Sequence, residues 1–217
     1  MTEKHYPLNL DKNYSVALAN ELLLGRQKTM SIWANRILNF LVMQLVGDET
    51  MNDNFKTHTV RVKDLADFIG YKSKDVYDEI VSAIKEIMDT TVEIGDRKDK
   101  NKPWKLFHWM SLAEYDGKSD GGNATLKLSL SEEVKPYLFE LKKRGFFTQY
   151  QIKEILPMNS FYAIRLYQYI TYYYNLNSKN VDFIKMSIKD LREYLECVNT
   201  FQRISDLKKC VIEIAVK

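Results

Sequence analysis

The order in which hydrophobic periods change along this 217-residue chain constrains its fold more than any single motif does. Ser31 to Leu41 reads as a capped helix with Trp33, Ile37, Phe40, Leu41 and Leu45 recurring at helical spacing, and Gly47 as its end. The alternating piece His58–Val62 predicts a strand, and Lys63–Gly70 predicts a short helix closed by glycine. A longer helix over 74–88 carries one stripe, Val76, Ile80, Ala83, Ile84 and Ile87, and Thr90–Ile94 follows as a strand. The polar run Gly95–Pro103 predicts a loop, and Trp104–Tyr115 resumes a strand-like pattern that closes a hairpin. A turn through Asp116–Asn123 then leads to a strand over Ala124–Leu130. Helix, strand, helix, helix and hairpin make up a winged helix, here with one extra strand.

Ser131 predicts a capped helix that carries Lys142, Lys143 and Arg144 at its negative end and stops at Gly145. From there the order recurs. Gln149–Leu156 reads as a short helix ended by Pro157, and Ser160 opens a long helix through Tyr174. Phe183–Met186 predicts a strand, and Ser187 caps a helix to about Glu196. Phe201–Val216 reads as a third helix with Phe201, Ile204, Leu207, Val211 and Ile214 on one face. A winged helix needs a hairpin after its third helix, so the second unit is expected to be incomplete at its C-terminal end. The expected fold is α+β and mostly helical: two tandem winged helices, residues 1–145 and 146–217.

Charge separates these two units. Residues 1–145 hold 22 Lys and Arg against 22 Asp and Glu, whereas residues 146–217 hold 10 against 7, so the net +3 lies in the second unit. The two third helices differ in the same sense. The first exposes Asp75, Asp78, Glu79, Glu86 and Asp89 against Lys74 and Lys85, which opposes approach to phosphates and suits a support or dimer helix. The second offers Gln202, Arg203, Ser205, Lys208 and Lys209 against Asp206 and Glu213, which mixes types that read bases with types that neutralise phosphate. Arg97, Lys98, Lys100 and Lys102 cluster at the tip of the first hairpin, where a wing can lie along a DNA backbone or simply face solvent.

Chemistry beyond binding has little to work with. His5, His58 and His108 stand singly, Cys197 and Cys210 have no ligand spacing, and no GxxxxGK[ST], GxSxG or HExxH occurs. The tyrosines Tyr162, Tyr167, Tyr169, Tyr172, Tyr173 and Tyr174 invite comparison with DNA-nicking nucleophiles, but such enzymes hold a metal with paired histidines, and rings at helical spacing are usually packing. The chain is therefore expected not to be an enzyme and to need no metal or cofactor. No apolar run approaches the ~20 residues of a membrane span, and Met1–His5 starts no signal peptide, so a cytoplasmic location is expected.

The segment Phe147–Tyr167, FTQYQIKEILPMNSFYAIRLY, resembles the central signature of the replication initiators, or Rep proteins, of iteron-containing plasmids. Ala19–Leu22, Arg36–Leu38 and Ser187–Arg192 resemble the same family, while Asn159 and Gln168 stand where a Lys and a Glu are expected. The resemblance implies an N-terminal winged helix that forms a homodimer and adds backbone contacts, and a C-terminal one that reads direct repeats in double-stranded origin DNA. It also implies that monomers open the origin and dimers repress the initiator's own promoter, with host DnaA, helicase and primase as partners. Three other readings stay open: a winged-helix transcriptional regulator without a replication role, a rolling-circle nickase, and a dimer that binds only protein.

Overall fold

The computed structural model describes residues 8–45, 57–72, 75–96, 98–117, 124–139, 141, 145–177 and 183–215. Its centre is α2 (Ile32–Met43), in which Ala34, Ile37, Leu38, Phe40, Leu41, Val42 and Met43 are all buried, so the helix is enclosed nearly all round. Ser31 opens it by accepting a hydrogen bond from the Ala34 N–H at 3.2 Å. Against α2 pack α3 (Val62–Ile69) and α4 (Val76–Asp89), the latter through Ile80, Ala83, Ile84 and Ile87, as the stripe predicts. Burying each of the three isoleucines stabilises by about 1.5–3 kcal/mol. Gly70 ends α3 with φ +81°, a left-handed conformation that glycine adopts without the strain of a Cβ.

Two three-stranded antiparallel sheets flank these helices. One has the order β2 (Arg26–Gln27), β4 (Thr91–Gly95), β5 (Trp104–His108); the other has β3 (Thr57–Arg61), β7 (Thr125–Leu130), β6 (Met110–Tyr115). The stretch Trp104–Tyr115 thus divides at Trp109, and its two halves join different sheets. Trp109 is buried at that corner, where its indole N–H donates to Gln27 Oε1 at 2.8 Å. Ser131 caps no helix by its side chain; its hydroxyl donates to the His108 carbonyl, and a short 3-10 helix (Glu132–Tyr137) containing Pro136 follows. Lys142, Lys143 and Arg144 lie outside the described residues, as do Gly47 and Lys74.

The largest departure from the periodic reading is at Gln149. Residues Phe147–Gln151 form a strand, β8, and only Ile152–Ile155 are helical (α5). Thr148 and Tyr150 point inward and Gln149 and Gln151 outward, and the strand pairs antiparallel with β1 (Ser15–Ala19) from Ala19↔Phe147 to Ser15↔Gln151. No alternation as short as this outweighs a helical pattern until its distant partner is known. Phe183–Met186 likewise form no strand, because no neighbouring ladder among the described residues satisfies them.

After β8 come α1's partner α6 (Phe161–Leu176) and α7 (Ile188–Tyr194), where α1 is Asn20–Leu24. Arg165 of α6 fastens them: its guanidinium donates to the Leu23 and Gly25 carbonyls, both at 2.9 Å, and lies over the Tyr194 ring at 4.3 Å. Gln168, where a Glu is expected from the resemblance, donates to the Tyr150 hydroxyl at 2.6 Å, and that hydroxyl donates to Asn39 Oδ1 at 2.7 Å. An amide can donate here and a carboxylate cannot, which gives this position a physical reason. Burial pushes the Tyr150 phenol well up, so it stays a donor.

Candidate nucleic-acid interface

The last described helix runs as α8 (Ile204–Leu207), a π-helical segment (Lys208–Ile212) and α9 (Glu213–Ala215). With α7 and the turn between them it forms a helix-turn-helix. Ser187 opens α7 by accepting from the Asp190 N–H at 3.0 Å. The turn starts at Glu196, whose φ of +52° reverses the chain, and the Cys197 N–H donates to the Arg192 carbonyl at 2.9 Å. Phe201 then meets Tyr162 edge-on at 5.6 Å. A small separate core holds the unit together: Tyr194, Leu195, Cys197, Leu207 and Val211, with Leu166, Tyr169 and Leu191 against it.

Leu207 and Val211 are 2% and 0% exposed, but Ile204 and Ile214, expected on the same buried face, are 62% and 44% exposed. The wider π turn inserts residues at a different angle and takes Ile214 out of line. The helix leans on α6 mainly through Lys208–Ala215, so its first turn, with Ile204, stands clear of that packing. On the outward side Gln202, Arg203, Ser205, Lys208 and Lys209 are all exposed, as charge and polarity predict. Arg203 occupies the cap position with extended backbone and makes no side-chain cap bond. Ile204 joins this face and was missed by sequence reasoning because a single apolar residue in a helical stripe is read as core.

The hairpin tip is built by its aspartates. Asp96 Oδ1 accepts from the Lys98 N–H and Asp99 Oδ1 from the Asn101 N–H, each at 3.0 Å, so the loop has fixed turns. A side chain at Gly95, where φ is +90°, would meet the Pro103 carbonyl at 2.5 Å. Lys98, Lys100 and Lys102 are exposed, and Lys102 pairs with Asp99 at 3.2 Å. Arg97 lies outside the described residues. Arg26 of β2 ties this sheet to the helix-turn-helix, reaching Glu93 at 3.8 Å, Asp96 at 3.9 Å and Glu193 of α7 at 3.5 Å. Partial desolvation raises the Glu196 carboxyl, with Arg26 and then Lys98 among the cations that oppose the rise, so the hairpin tip and the turn are electrostatic neighbours.

By contrast, the face of α4 exposes Asp75, Asp78, Glu79 and Asp89 against Lys85, and Glu86 is used internally, accepting from the Ser31 N–H at 2.8 Å. Next to it, Tyr77 and Val81 of α4 and Leu112 and Tyr115 of edge strand β6 are exposed, with the Tyr77 and Tyr115 rings in tilted contact at 4.7 Å. Among the described residues, no group of three or more His, Cys, Asp or Glu is placed to hold a metal ion, and no helix is long and apolar enough to cross a membrane.

Known proteins share this architecture. A replication initiation protein of Escherichia coli is 24% identical over 195 residues, which cover 90% of this chain; the chain spans 58% of that relative's length. The crystal structure of the Pi initiator protein in complex with iteron DNA superposes with a TM-score of 0.67 at 19% identity, covering 95% of this chain and 85% of that one. Domains 2 and 3 of RctB match with a TM-score of 0.51 at 14% identity, over 86% of this chain and 70% of theirs. These likenesses bear out an α+β fold of tandem winged helices. A family model described as "Initiator Replication protein, WH1" matches residues 15–171, and the chain belongs to that family of initiator replication proteins.

Proposed function

We propose that this chain initiates replication of a plasmid by binding direct repeats of double-stranded DNA in its origin, and that it works by binding, without bond chemistry of its own. The observation that carries this reading is the exposed face from Gln202 to Lys209 at the head of a helix-turn-helix, in a chain of the initiator family. The first residues of a reading helix are those that reach base edges. Arg203 and Gln202 can bond bases bidentately, Ser205 can donate or accept, and Ile204 suits a thymine methyl. Lys208 and Lys209 neutralise phosphates further along, and Lys98, Lys100 and Lys102, with Arg97, add backbone contacts from the wing. The complex of Pi with iteron DNA supports this role by likeness of fold.

The units 1–145 and 146–217 divide the work in this proposal. The first forms a homodimer, for which edge strand β6 and the exposed Tyr77, Val81, Leu112 and Tyr115 offer an apolar surface. The dimer represses the initiator's own promoter, and monomers open the origin for host DnaA, helicase and primase in the cytoplasm. A plasmid-maintenance assay tests the reading: an origin-bearing plasmid should depend on this chain and be lost with Arg203→Ala. Promoter repression without plasmid maintenance would make the chain a transcriptional regulator instead.

A further inference from the structure

The start of the last helix, which carries the proposed base contacts, has little packing ahead of Leu207, the one residue of the first turn that is buried. Ile204 is largely exposed, Arg203 makes no cap bond, and the helix meets α6 through its later turns. Among the described residues, a side chain of the preceding helix reaches the residues just ahead of this turn. Arg192 of α7 donates from Nη2 to the carbonyls of Phe201 at 2.5 Å and Gln202 at 2.8 Å, the last two residues before the Arg203 cap. Its own carbonyl accepts from Cys197 N–H, so Arg192 grips both ends of the turn. Two charge-assisted bonds from one planar group fix direction as well as distance. The neighbouring Phe201 ring is braced on Tyr162, so the held point is anchored to α6.

We propose that Arg192 is a positioning residue for DNA reading: it touches no DNA and sets the angle at which Gln202, Arg203 and Ile204 meet the groove. The proposal rests on the reading of this helix as the DNA-reading element. Because a base contact is lost by a small misplacement while a phosphate contact is tolerant, loss of Arg192 should erode discrimination and spare general affinity.

The test uses duplexes that this chain selects from a random pool, compared with random duplex at two salt concentrations, alongside amide hydrogen exchange of residues 203–207. Arg192→Gln should speed exchange at Asp206 and Leu207, whose amides bond to the Arg203 carbonyl, and lower the selected-to-random affinity ratio by about tenfold, the size of one lost base contact. Random-duplex affinity and its salt slope should stay as they are. Arg192→Lys, which keeps a cationic donor, should restore much of both protection and ratio. Equal weakening on all DNA with the salt slope reduced by about one would overturn the proposal by making Arg192 a phosphate contact. Unchanged exchange would overturn it too, as would faster exchange with the ratio intact while Arg203→Ala lowers it. If Arg203→Ala also leaves the ratio intact, the helix does not read DNA, and that failure is visible without Arg192.

Discussion

α4 and the helix over 204–215 hold the same place, third in a winged-helix order, and are built in opposite ways. α4 buries four residues of a full stripe in the large core around α2 and covers its outer side with acids. The later helix buries Leu207 and Val211 in a core of five buried residues and turns an apolar, polar and basic face outward. In the proposed reading one third helix is a pillar and the other a reader, and depth of anchoring and sign of charge set them apart. The proposed reader is held by a few contacts, among them the Arg192 bonds, and so depends on single residues more than the pillar does.

The sharpest way to break this contrast is in the cores. Ile87→Ala on α4 should cost about 2–5 kcal/mol of global stability in denaturant unfolding, whereas Val211→Ala should cost roughly 2 kcal/mol or less and loosen mainly the last helix in amide exchange. Equal losses would mean that the two helices are anchored alike.

A second difference is pH. His58 on β3, in the sheet beside the large core, is pulled down to about 4 by burial. Its folded value lies below the unfolded ~6.5, so its contribution is complete above that value and is lost as pH falls toward 4. Melting at pH 5 should show about 2 kcal/mol less stability than at pH 7, and His58→Leu should flatten that dependence. A parallel loss in His58→Leu would assign the acid sensitivity to other groups.

On DNA, Arg203→Ala should reduce discrimination between selected and random duplex by about 1–3 kcal/mol. Removing two acids from the pillar, Asp78→Ala with Glu79→Ala, should leave discrimination unchanged. Smallest of all, Lys98→Ala should weaken binding equally on every sequence and reduce the salt slope by about one, read from titrations at two salt concentrations.

What could be read from the residues follows the same division. The pillar's stripe, the glycine stop of α3 at Gly70 and the caps at Ser31 and Ser187 are local patterns, and the structure keeps all of them. The β1–β8 pairing joins segments that only the folded chain brings together, so Gln149–Gln151 read as the start of a helix. The basic and polar face was legible because such side chains stay in solvent by default. Arg192, Arg165 and Arg36 were not, since an arginine that turns inward to carbonyls looks in sequence like one that faces water. Ile204 failed the other way, an apolar residue left outside because its helix is anchored at its far end.

The most direct test of the pillar and reader assignment is a hydrogen-exchange footprint of the chain on its selected duplex. The account predicts new protection over residues 202–209 and at the hairpin tip around Lys98–Lys102, with α4 unchanged. Protection of α4 with residues 202–209 unaffected would contradict it.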